Sequence, residues 1–397
     1  MQSPTEKYPM LYYRYRPSGE LALKELLYDE IFLASAAECN DPYDGMAFLE
    51  LGPDYEKWYR LIQLAWDELD LPGKDELAAT LTDHITTKCP ISYTDALAFD
   101  FEQRIVESAV QFLPVAPMLA QRIRSLLELY KPCPPYFASF SLNKDHPLMW
   151  SHYASMHQGH CLIFRDLVGK LRQCPRRMRS TIRRGTKKGL APNMSYGVPQ
   201  EFPFQEISYA DNTESLDGFT FLPQTVSLMK LSEPERLELN KTQSRHLLTK
   251  HEAWSYEDEV RVSFSPGASW LFGEHLELTP LERLIHFQPT QLVGIVMGAR
   301  MTQSNQARIR EICKARMDRI MKDIGKQGVE EPLFDFVIFQ ANLLSDRRDL
   351  EIKPVEILTG SGSLSPDDER FSELVEQWQR GSALVFDGKG ASKRYFD

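Results

Sequence analysis

The sequence is poor in cysteine and lacks both long apolar runs and clustered metal ligands. Its six cysteines form no CxxC pair and no Cys/His cluster with zinc spacing, so we expect reduced thiols and no metal site. No apolar stretch approaches the roughly 18 residues that span a bilayer. The first ten residues carry neither a basic leader nor an apolar signal core. We therefore expect a cytoplasmic protein that does not contact membranes.

Several catalytic signatures are also missing. The chain contains no GxxxxGKS/T or strand-linked GxGxxG phosphate loop, no HExxH metal motif and no GxSxG nucleophile elbow. These absences disfavour a kinase, a Rossmann dehydrogenase, a zincin and an α/β-hydrolase.

The composition is typical of a globular protein with a sizeable core. Of the 397 residues, 42% are apolar, 26% are charged and 11% are aromatic, values that exclude a wholly disordered chain. The length allows two or three domains, or one elaborated domain. The formal net charge of −10 disfavours nonspecific coating of nucleic acid by the protein as a whole.

A basic segment, residues 170–188, contrasts with this overall acidity, because no Asp or Glu occurs from Gly169 to Gln200. Its basic residues are Lys170, Arg172, Arg176, Arg177, Arg179, Arg183, Arg184, Lys187 and Lys188. The last seven either contact phosphates of a nucleic acid or another partner, or pair with acidic neighbours in a solvated loop. Without interleaved aromatic residues, we expect phosphate contact at most and no sequence-specific readout.

The order of predicted elements indicates an α+β fold with a mixed, mostly antiparallel sheet. We predict strands at 10–17, 31–34, 136–141, 159–164, 204–210, 253–264, 291–297, 334–340 and 350–357, and helices at 21–28, 148–156, 237–248, 304–321 and through most of 55–130. We expect one α+β domain over residues 1–330, with a helical insertion at about 53–130. C-terminal strands and a polar tail follow over 331–397.

Each of three predicted strands places polar side chains on one of its two faces, because alternate residues of a strand point the same way. The residues concerned are Arg14 and Arg16, then Ser139 and Ser141, and finally Glu257, Glu259 and Arg261. Neighbouring carboxylates repel each other, so the two glutamates belong either at a solvated sheet edge or in a cleft where one carboxyl pKa is raised. The sequence leaves both positions open.

Together these residue types suit a cleft for a nucleotide with a cationic leaving group. Arginines hold pyrophosphate through bidentate contacts, and hydroxyls hold a ribose. A carboxylate stabilises the oxocarbenium-like centre that forms when an N-glycosidic bond breaks. NAD⁺ contains such a bond between ribose and nicotinamide, so we expect NAD as the cofactor.

Four groups of residues, in this order, resemble a widespread bacterial family of domains of unknown function whose members lie near phage-defence genes. They are Tyr13-Arg14-Tyr15-Arg16, Asn40-Asp41-Pro42-Tyr43, Ser139-Phe140-Ser141 with Trp150-Ser151-His152-Tyr153-Ala154, and Lys250 with Trp254-Ser255-Tyr256-Glu257-Asp258-Glu259-Val260-Arg261. The resemblance covers residues 10–325 with gaps and leaves out the helical insertion and the tail.

The order of a basic residue, Ser-aromatic-Ser and Glu-x-Glu also resembles the ADP-ribosyltransferase superfamily, although Phe140 replaces the usual Thr. The resemblance implies an ADP-ribosyltransferase-like sheet core. In it, Arg14 contacts the NAD⁺ phosphates or the adenosine-side ribose, and Ser139 supports the nicotinamide ribose. Glu259 binds the ribose 2′-hydroxyl and steadies the cation, while Glu257 orients the acceptor nucleophile.

Several residues near these motifs have open interpretations. Trp150, His152 and Tyr153 either pack in the core or line the nucleotide cleft, where an aromatic ring stacks on nicotinamide or adenine. Lys250 neutralises the acidic pair, touches phosphate or lies exposed at a helix end. The predicted NAD-binding set is Arg14, Arg16, Ser139, Ser141, Trp150, His152 and Tyr153, and the predicted catalytic pair is Glu257 and Glu259.

These observations predict an NAD-dependent ADP-ribosyltransferase-like toxin or effector, acting in phage defence. It would cleave the nicotinamide–ribose bond and transfer ADP-ribose to a nucleic-acid or protein acceptor, or to water as an NAD hydrolase. An antitoxin or a phage protein is the further partner we expect. The alternative is a non-catalytic sensor that binds nucleic acid or a phage component through the basic segment. A metal-dependent nuclease is disfavoured, because only the two glutamates share a face.

Overall fold

The structure is a computed structural model of the chain. It describes residues 10–45, 48–67, 74–108, 115–132, 135–184, 194–211, 215–265, 277–327, 332–386 and 392–395. Helices occur together with mixed, largely antiparallel sheets. This architecture confirms the predicted α+β class.

In the described part of the chain, both the N-terminal and the C-terminal half contain helices and strands. The helices are α1 (Glu20–Tyr28), α2 (Tyr55–Asp67), α3 (Lys74–Thr86), α4 (Tyr93–Ala96), α5 (Phe99–Ser108), α6 (Val115–Tyr130), α7 (Pro147–Tyr153), α8 (Gln224–Ser227), α9 (Glu233–Leu247), α10 (Gln303–Gln327) and α11 (Phe371–Gln379). The strands are β1 (Leu11–Arg16), β2 (Glu30–Phe32), β3 (Leu49–Leu51), β4 (Ile91–Ser92), β5 (Tyr136–Ser141), β6 (His160–Arg165), β7 (Lys170–Arg172), β8 (Thr181–Arg184), β9 (Met194–Gly197), β10 (Glu201–Pro203), β11 (Gln205–Glu206), β12 (Ser208–Tyr209), β13 (Leu216–Asp217), β14 (Thr249–Lys250), β15 (Glu259–Phe264), β16 (Leu284–His286), β17 (Leu292–Met297), β18 (Phe336–Leu343), β19 (Leu350–Thr359), β20 (Gly362–Leu364), β21 (Ala383–Phe386) and β22 (Ser392–Tyr395).

A nine-stranded sheet organises the described part of the chain. Its strand order is β11-β15-β5-β1-β6-β17-β18-β19-β20. Strands β17 and β18 are parallel and are joined through α10, as a parallel pair requires a crossover connection. The other neighbours in this sheet are antiparallel. The C-terminal strands β18 to β20 therefore extend the same sheet that contains the N-terminal β1.

Strand β1 lies inside the sheet, and its alternating side chains enter two different cores. Tyr12 packs on one face of the sheet with Phe140 and Phe164, whereas Tyr13 and Tyr15 pack in the core of the other face. Because apolar residues cover both faces, β1 is a buried strand. A polar residue on it must find its partners within the protein or in a cleft.

Helices α2 to α6 form a helical insertion with a core of its own. Trp58, Leu61 and Ile62 from α2 are fully buried there with Phe101 and Ile123. The small sheet β13-β3-β4 lies beside these helices. Among the described residues, no helix combines the length and the apolar composition needed to cross a membrane.

One predicted strand is wrong in its first half. The sequence pattern predicts a strand over 253–264, but Glu252–Glu257 forms a 3-10 helix and β15 begins only at Glu259. The His251 side chain caps this helix by accepting a hydrogen bond from the Ala253 N–H, and Asp258 ends it in the left-handed region at φ 43°. Glu257 therefore precedes the strand, and strand alternation does not place its side chain.

Gly159 precedes β6 and lies directly against the backbone of β1. A Cβ at this position would be 2.1 Å from the carbonyl oxygen of Arg16. We expect Gly159→Ala to lower the free energy of unfolding by about 1–3 kcal/mol, because the backbone of β1 must shift to make room. Urea unfolding measures this loss. Gly52→Ala is the matched control, since a Cβ there meets nothing within 4 Å, and equal stability of the two variants would contradict the prediction.

Candidate active site

Strands β15, β5 and β1 are consecutive in the sheet and carry the three polar motifs side by side, except for Glu257, which lies just before β15. Ser141 lies opposite both Tyr13 on β1 and Glu259 on β15, while Ser139 lies opposite Arg261. Residues of these strands line a cleft of about 510 Å³, together with residues of the 38–44 turn and of α7. A volume of this size suits a small-molecule ligand.

The cleft gathers most of the residues that the sequence predicts for NAD binding and catalysis. Its lining includes Arg14, Arg16, Ser139, Ser141, His152, Tyr153, Glu257 and Glu259. Trp150 does not line it. The Trp150 side chain is fully buried, its indole N–H donates to the carbonyl of Lys144, and its ring packs edge-on against Tyr15. The ring is therefore unable to stack on a ligand in the cleft, and Trp150 supports β1 from the core.

Arg14 is a buried cation on the β1 side of the cleft. Its Nη1 donates to the carbonyl of Ser139 at 3.0 Å, and its guanidinium lies 5.6 Å from the centre of the Phe140 ring. Glu25 is 4.0 Å from Arg14 but pairs with Arg16 at 2.6 Å. Among the described residues, Arg14 Nε has no hydrogen-bond partner. Burial and the charge of Arg16 lower the pKa of Arg14 to about 10, so it stays cationic at neutral pH.

Glu259, Arg261 and Asp44 form a buried ion network beside β5. Nε of Arg261 donates to Glu259 Oε1 at 2.6 Å, and Nη2 donates to Oε2 at 2.9 Å. The same guanidinium donates to the two carboxylate oxygens of Asp44 at 2.6 and 2.7 Å. All three side chains are buried. Arg261 therefore joins the 40–45 turn, the segment of residues 40–45 that contains Asp44 and borders the cleft, to β15. It also fixes the orientation of the Glu259 carboxylate.

Glu257 has a different set of donors. The Tyr153 hydroxyl donates to Glu257 Oε1 at 2.5 Å, and Lys250 Nζ donates to Oε2 at 2.6 Å. Lys250 also donates to Glu259 Oε2 at 3.1 Å, so one ammonium bridges the two carboxylates. The Ser141 hydroxyl donates to the backbone carbonyl of Glu257 at 2.6 Å. Buried Ser141 therefore anchors the turn that carries Glu257.

The two carboxyl groups have opposite pKa shifts. For Glu257, burial is the largest influence and raises the pKa, against the opposing effects of Lys250 and Tyr153. For Glu259, burial also favours the neutral acid, but Arg261 and Lys250 outweigh it and lower the pKa to about 2. Glu259 is therefore ionised at any physiological pH, whereas Glu257 is the group suited to proton exchange.

Ser139 and His152 are the exposed members of the predicted set. Ser139 lies on β5, and its hydroxyl contributes to the lowered pKa of Glu259. His152 lies on α7, and its ring centre is 6.2 Å from that of Tyr153 and 6.3 Å from that of Tyr256. A ligand that enters the cleft would meet these two side chains without displacing core residues.

Four residues of the basic segment pair with acidic neighbours. The pairs, with N···O distances of 2.7 to 3.1 Å, are Lys170 and Arg172 with Glu201, Arg176 with Asp323, and Arg177 with Asp29. Arg179 donates to the carbonyl of Leu281. Arg183 and Arg184 belong to β8, and Lys187 and Lys188 lie outside the described residues. These pairs favour a solvated basic loop over a free phosphate-binding surface.

Sequence reasoning misses Asp44 and Glu25, which neutralise the arginines of the site. Asp44 lies just after the Asn40-Asp41-Pro42 turn, so its residue type there indicates a turn rather than an ion pair. Glu25 lies on α1, where a glutamate is ordinary. The signal that remains is indirect: arginines on a buried strand require counter-charges from elsewhere in the chain.

Glu259→Gln is expected to destabilise the fold as well as change the site. The substitution leaves Arg261 without one of its buried partners, a loss of about 3–5 kcal/mol. Because the pKa of Glu259 is lowered from 4.5 to about 2 by folding, this stabilisation is complete above pH 4.5 and is lost as the pH falls towards 2. Chemical unfolding at a series of pH values should show the gap between wild type and variant shrinking in acid.

The control for this measurement is Glu252→Gln, the same change at an exposed position of the neighbouring 3-10 helix. It should leave stability nearly unchanged at every pH. A gap between Glu259→Gln and wild type that stays constant with pH would contradict the assignment of Glu259 as a buried, ionised carboxylate.

Comparison with known proteins bears on the α7 and β15 side of the cleft. Residues 149–262 match a family described as protein of unknown function (DUF2971). The matched segment contains the Trp-Ser-His-Tyr-Ala and Glu-x-Glu motifs, while Arg14 and Ser139 lie before it. Neither a curated protein nor a solved structure matches the chain. Over residues 149–262 the chain is therefore similar to the DUF2971 family.

Proposed function

We propose that the cleft binds NAD⁺ and that the protein cleaves the bond between nicotinamide and ribose, passing ADP-ribose to an acceptor. The observation that carries this proposal is the convergence around one cleft of three sequence motifs, which lie on three adjacent strands and, for Glu257, on the 3-10 helix before β15. Arg14 supplies a buried cation, and Glu257 and Glu259 supply carboxylates. This charge arrangement suits a ligand that combines a pyrophosphate with a developing positive charge.

Arg14 is suited to the phosphate end of the ligand. Its Nε lacks a partner among the described residues, and its nearest carboxylate, Glu25, is already paired with Arg16. An anion in the cleft would complete the hydrogen bonding of a guanidinium that burial has already oriented. Because a guanidinium matches two phosphate oxygens at once, this position favours arginine over lysine.

Ser139 and the two glutamates are suited to the ribose end. The Ser139 hydroxyl offers a hydrogen bond, and Glu259, held by Arg261, keeps a fixed negative charge beside it. Bound NAD⁺ supplies the glycosidic bond and a neutral leaving group, nicotinamide, which departs with the bonding electron pair. In the charge cluster of the cleft, three carboxylates face the two cations Lys250 and Arg261. With Glu257 ionised, the excess negative charge favours a cation on the ligand.

The acceptor in this proposal is a nucleic acid or a protein, with water giving an NAD hydrolase. A role as a toxin or effector in phage defence, with an antitoxin or phage protein as partner, follows from the resemblance to the bacterial family. The rival function, a non-catalytic sensor that binds nucleic acid through the basic segment, has less support, because described residues of that segment pair with Glu201, Asp323 and Asp29.

Release of nicotinamide from NAD⁺ tests the proposal. The purified protein is incubated with NAD⁺ and a cell extract, and free nicotinamide is quantified by chromatography. We expect Arg14→Gln and Glu257→Gln to slow release by about 100-fold or more, because each removes a charged group from the cleft. Ser139→Ala should slow release with little loss of stability, since Ser139 is exposed. Glu259→Gln is less informative, because it also weakens the fold.

Glu252→Gln is the matched control, as it makes the same chemical change outside the cleft lining. It should release nicotinamide at the wild-type rate. Undiminished release by both Arg14→Gln and Glu257→Gln would remove the cleft from the reaction. No release by folded wild-type protein supplied with total RNA, DNA and protein would favour the sensor. Where release occurs, labelled adenylate in the products identifies the acceptor.

A further inference from the structure

Lys250 occupies the centre of the acidic side of the cleft, not an exposed helix end. It lies on β14, which pairs in parallel with β12, and its side chain is 6% exposed. Its Nζ is 2.6 Å from Glu257 Oε2, 3.1 Å from Glu259 Oε2 and 3.8 Å from Asp44 Oδ2. The ammonium also lies 4.9 Å from the centre of the Trp254 ring. One buried cation is therefore shared by three carboxylates.

The two glutamates do not depend on Lys250 equally. Glu259 receives two hydrogen bonds from Arg261, so it keeps a cationic partner when Lys250 is removed. In the described part of the chain, Lys250 is the only cation within 4.0 Å of the Glu257 carboxylate. The remaining donor to Glu257 is the neutral hydroxyl of Tyr153. Glu257 therefore has one charged partner and loses it entirely in a Lys250 variant.

We propose that Lys250 is a positioning residue that keeps Glu257 ionised and aimed into the cleft, so that Glu257, and not Glu259, takes the proton from the acceptor nucleophile. The inference rests on the proposed function and assigns the two carboxylates separate tasks. Glu259 is a permanent anion beside the ribose. Glu257 accepts the proton as the nucleophile forms its bond to the ribose carbon and nicotinamide leaves with the electron pair of the broken bond. No oxidant or further reactant is required.

The charged and titratable groups around Glu257 come from several elements. They are Lys250 on β14, Tyr153 on α7, Tyr209 on β12, Tyr256 in the 3-10 helix, Glu259 on β15 and Asp44 in the 40–45 turn. Glu259 and burial oppose the ionisation of Glu257, while Lys250 and the Tyr153 hydroxyl favour it. Removing Lys250 leaves the opposing influences in place, so the pKa of Glu257 must rise.

The direction of the expected pH effect follows from this balance. If ionised Glu257 accepts the proton, the rate of nicotinamide release falls at low pH as Glu257 becomes protonated, which gives the pH–rate profile an acidic limb. Lys250→Met should move that acidic limb to higher pH by about 1–3 pH units, the usual influence of an opposite charge at this distance. Lys250→Arg retains the charge and should restore the limb towards its wild-type position.

Two variants keep the inference testable when one of them fails to fold. Lys250→Met leaves buried carboxylates short of a cation and will lower stability. Tyr153→Phe removes one neutral donor and should move the acidic limb in the same direction by a smaller amount, because the Tyr153 hydroxyl favours the ionised form of Glu257. Lys241→Met is the control, because it makes the same change at a side chain that is 60% exposed on α9. It should leave the pH–rate profile of nicotinamide release unchanged.

Two measurements separate this inference from the proposed function. Carbon-13 NMR follows the side-chain carboxyl of Glu257 in the ligand-free protein, with the resonance assigned by its loss in Glu257→Gln. The pH dependence of nicotinamide release is measured in parallel. We expect the titration of Glu257 to move to higher pH in Lys250→Met and Tyr153→Phe, to move back in Lys250→Arg, and the acidic limb of the rate profile to follow it.

The outcomes are distinct. An unmoved Glu257 titration in folded Lys250→Met or Tyr153→Phe overturns the role of Lys250, whatever the activity. A moved titration with uniformly lower release at every pH overturns the role of Glu257 as proton acceptor. A moved titration in a protein that releases no nicotinamide supports the influence of Lys250 on Glu257 and refutes the proposed NAD⁺ chemistry.

Discussion

The cleft depends on the guanidinium of Arg261, which is shared between Asp44 and Glu259. Its donors point in two directions in one plane, so it pairs with a carboxylate on the 40–45 turn and with another on its own strand. Its flat face lies 4.0 Å from the centre of the Phe137 ring. A lysine could not make both bidentate contacts. Without Arg261, two carboxylates would be buried beside Glu257 with only Lys250 to neutralise them, and the turn that borders the cleft would lose its attachment to the sheet.

Much of the fold could be predicted because local patterns agree with the final structure. The aromatic alternation of β1 correctly places Tyr12 on one face of the sheet and Tyr13 on the other. The run of β-branched residues in β17 predicts a buried strand, as the structure has it. The 3-10 helix before β15 could not be predicted in this way. Tyr256 to Arg261 alternates like a strand, but the His251 cap and the left-handed Asp258 decide the backbone there. The prediction that Glu257 and Glu259 share a strand face is wrong for this reason, although both line the same cleft.

The parts of the site that could not be predicted are mainly its partners. Residue type on a strand indicates which side chains are polar, but the order β15-β5-β1 results from pairing between distant segments. Likewise, Lys250 has no local signal for burial, and only the folded chain shows that it bridges two carboxylates. The charges of the basic segment illustrate the reverse case. They form a conspicuous block in the sequence, yet Glu201, which follows the acid-free stretch, and Asp29, which is distant in sequence, neutralise several of them.

The long separations between the pairs that build the cleft have a consequence for the protein as it is made. Arg261 contacts Asp44 across 217 residues, and Arg14 contacts Ser139 across 125. Synthesis delivers β1, then β5 and finally β15, so an emerging chain holds Asp44 without its cation until the last of these strands leaves the ribosome. Such distant pairings also slow folding. A truncated product that stops before Glu257 carries Arg14 and Ser139 but neither glutamate, so premature termination during translation at such a point yields chains without the carboxylates of the proposed reaction.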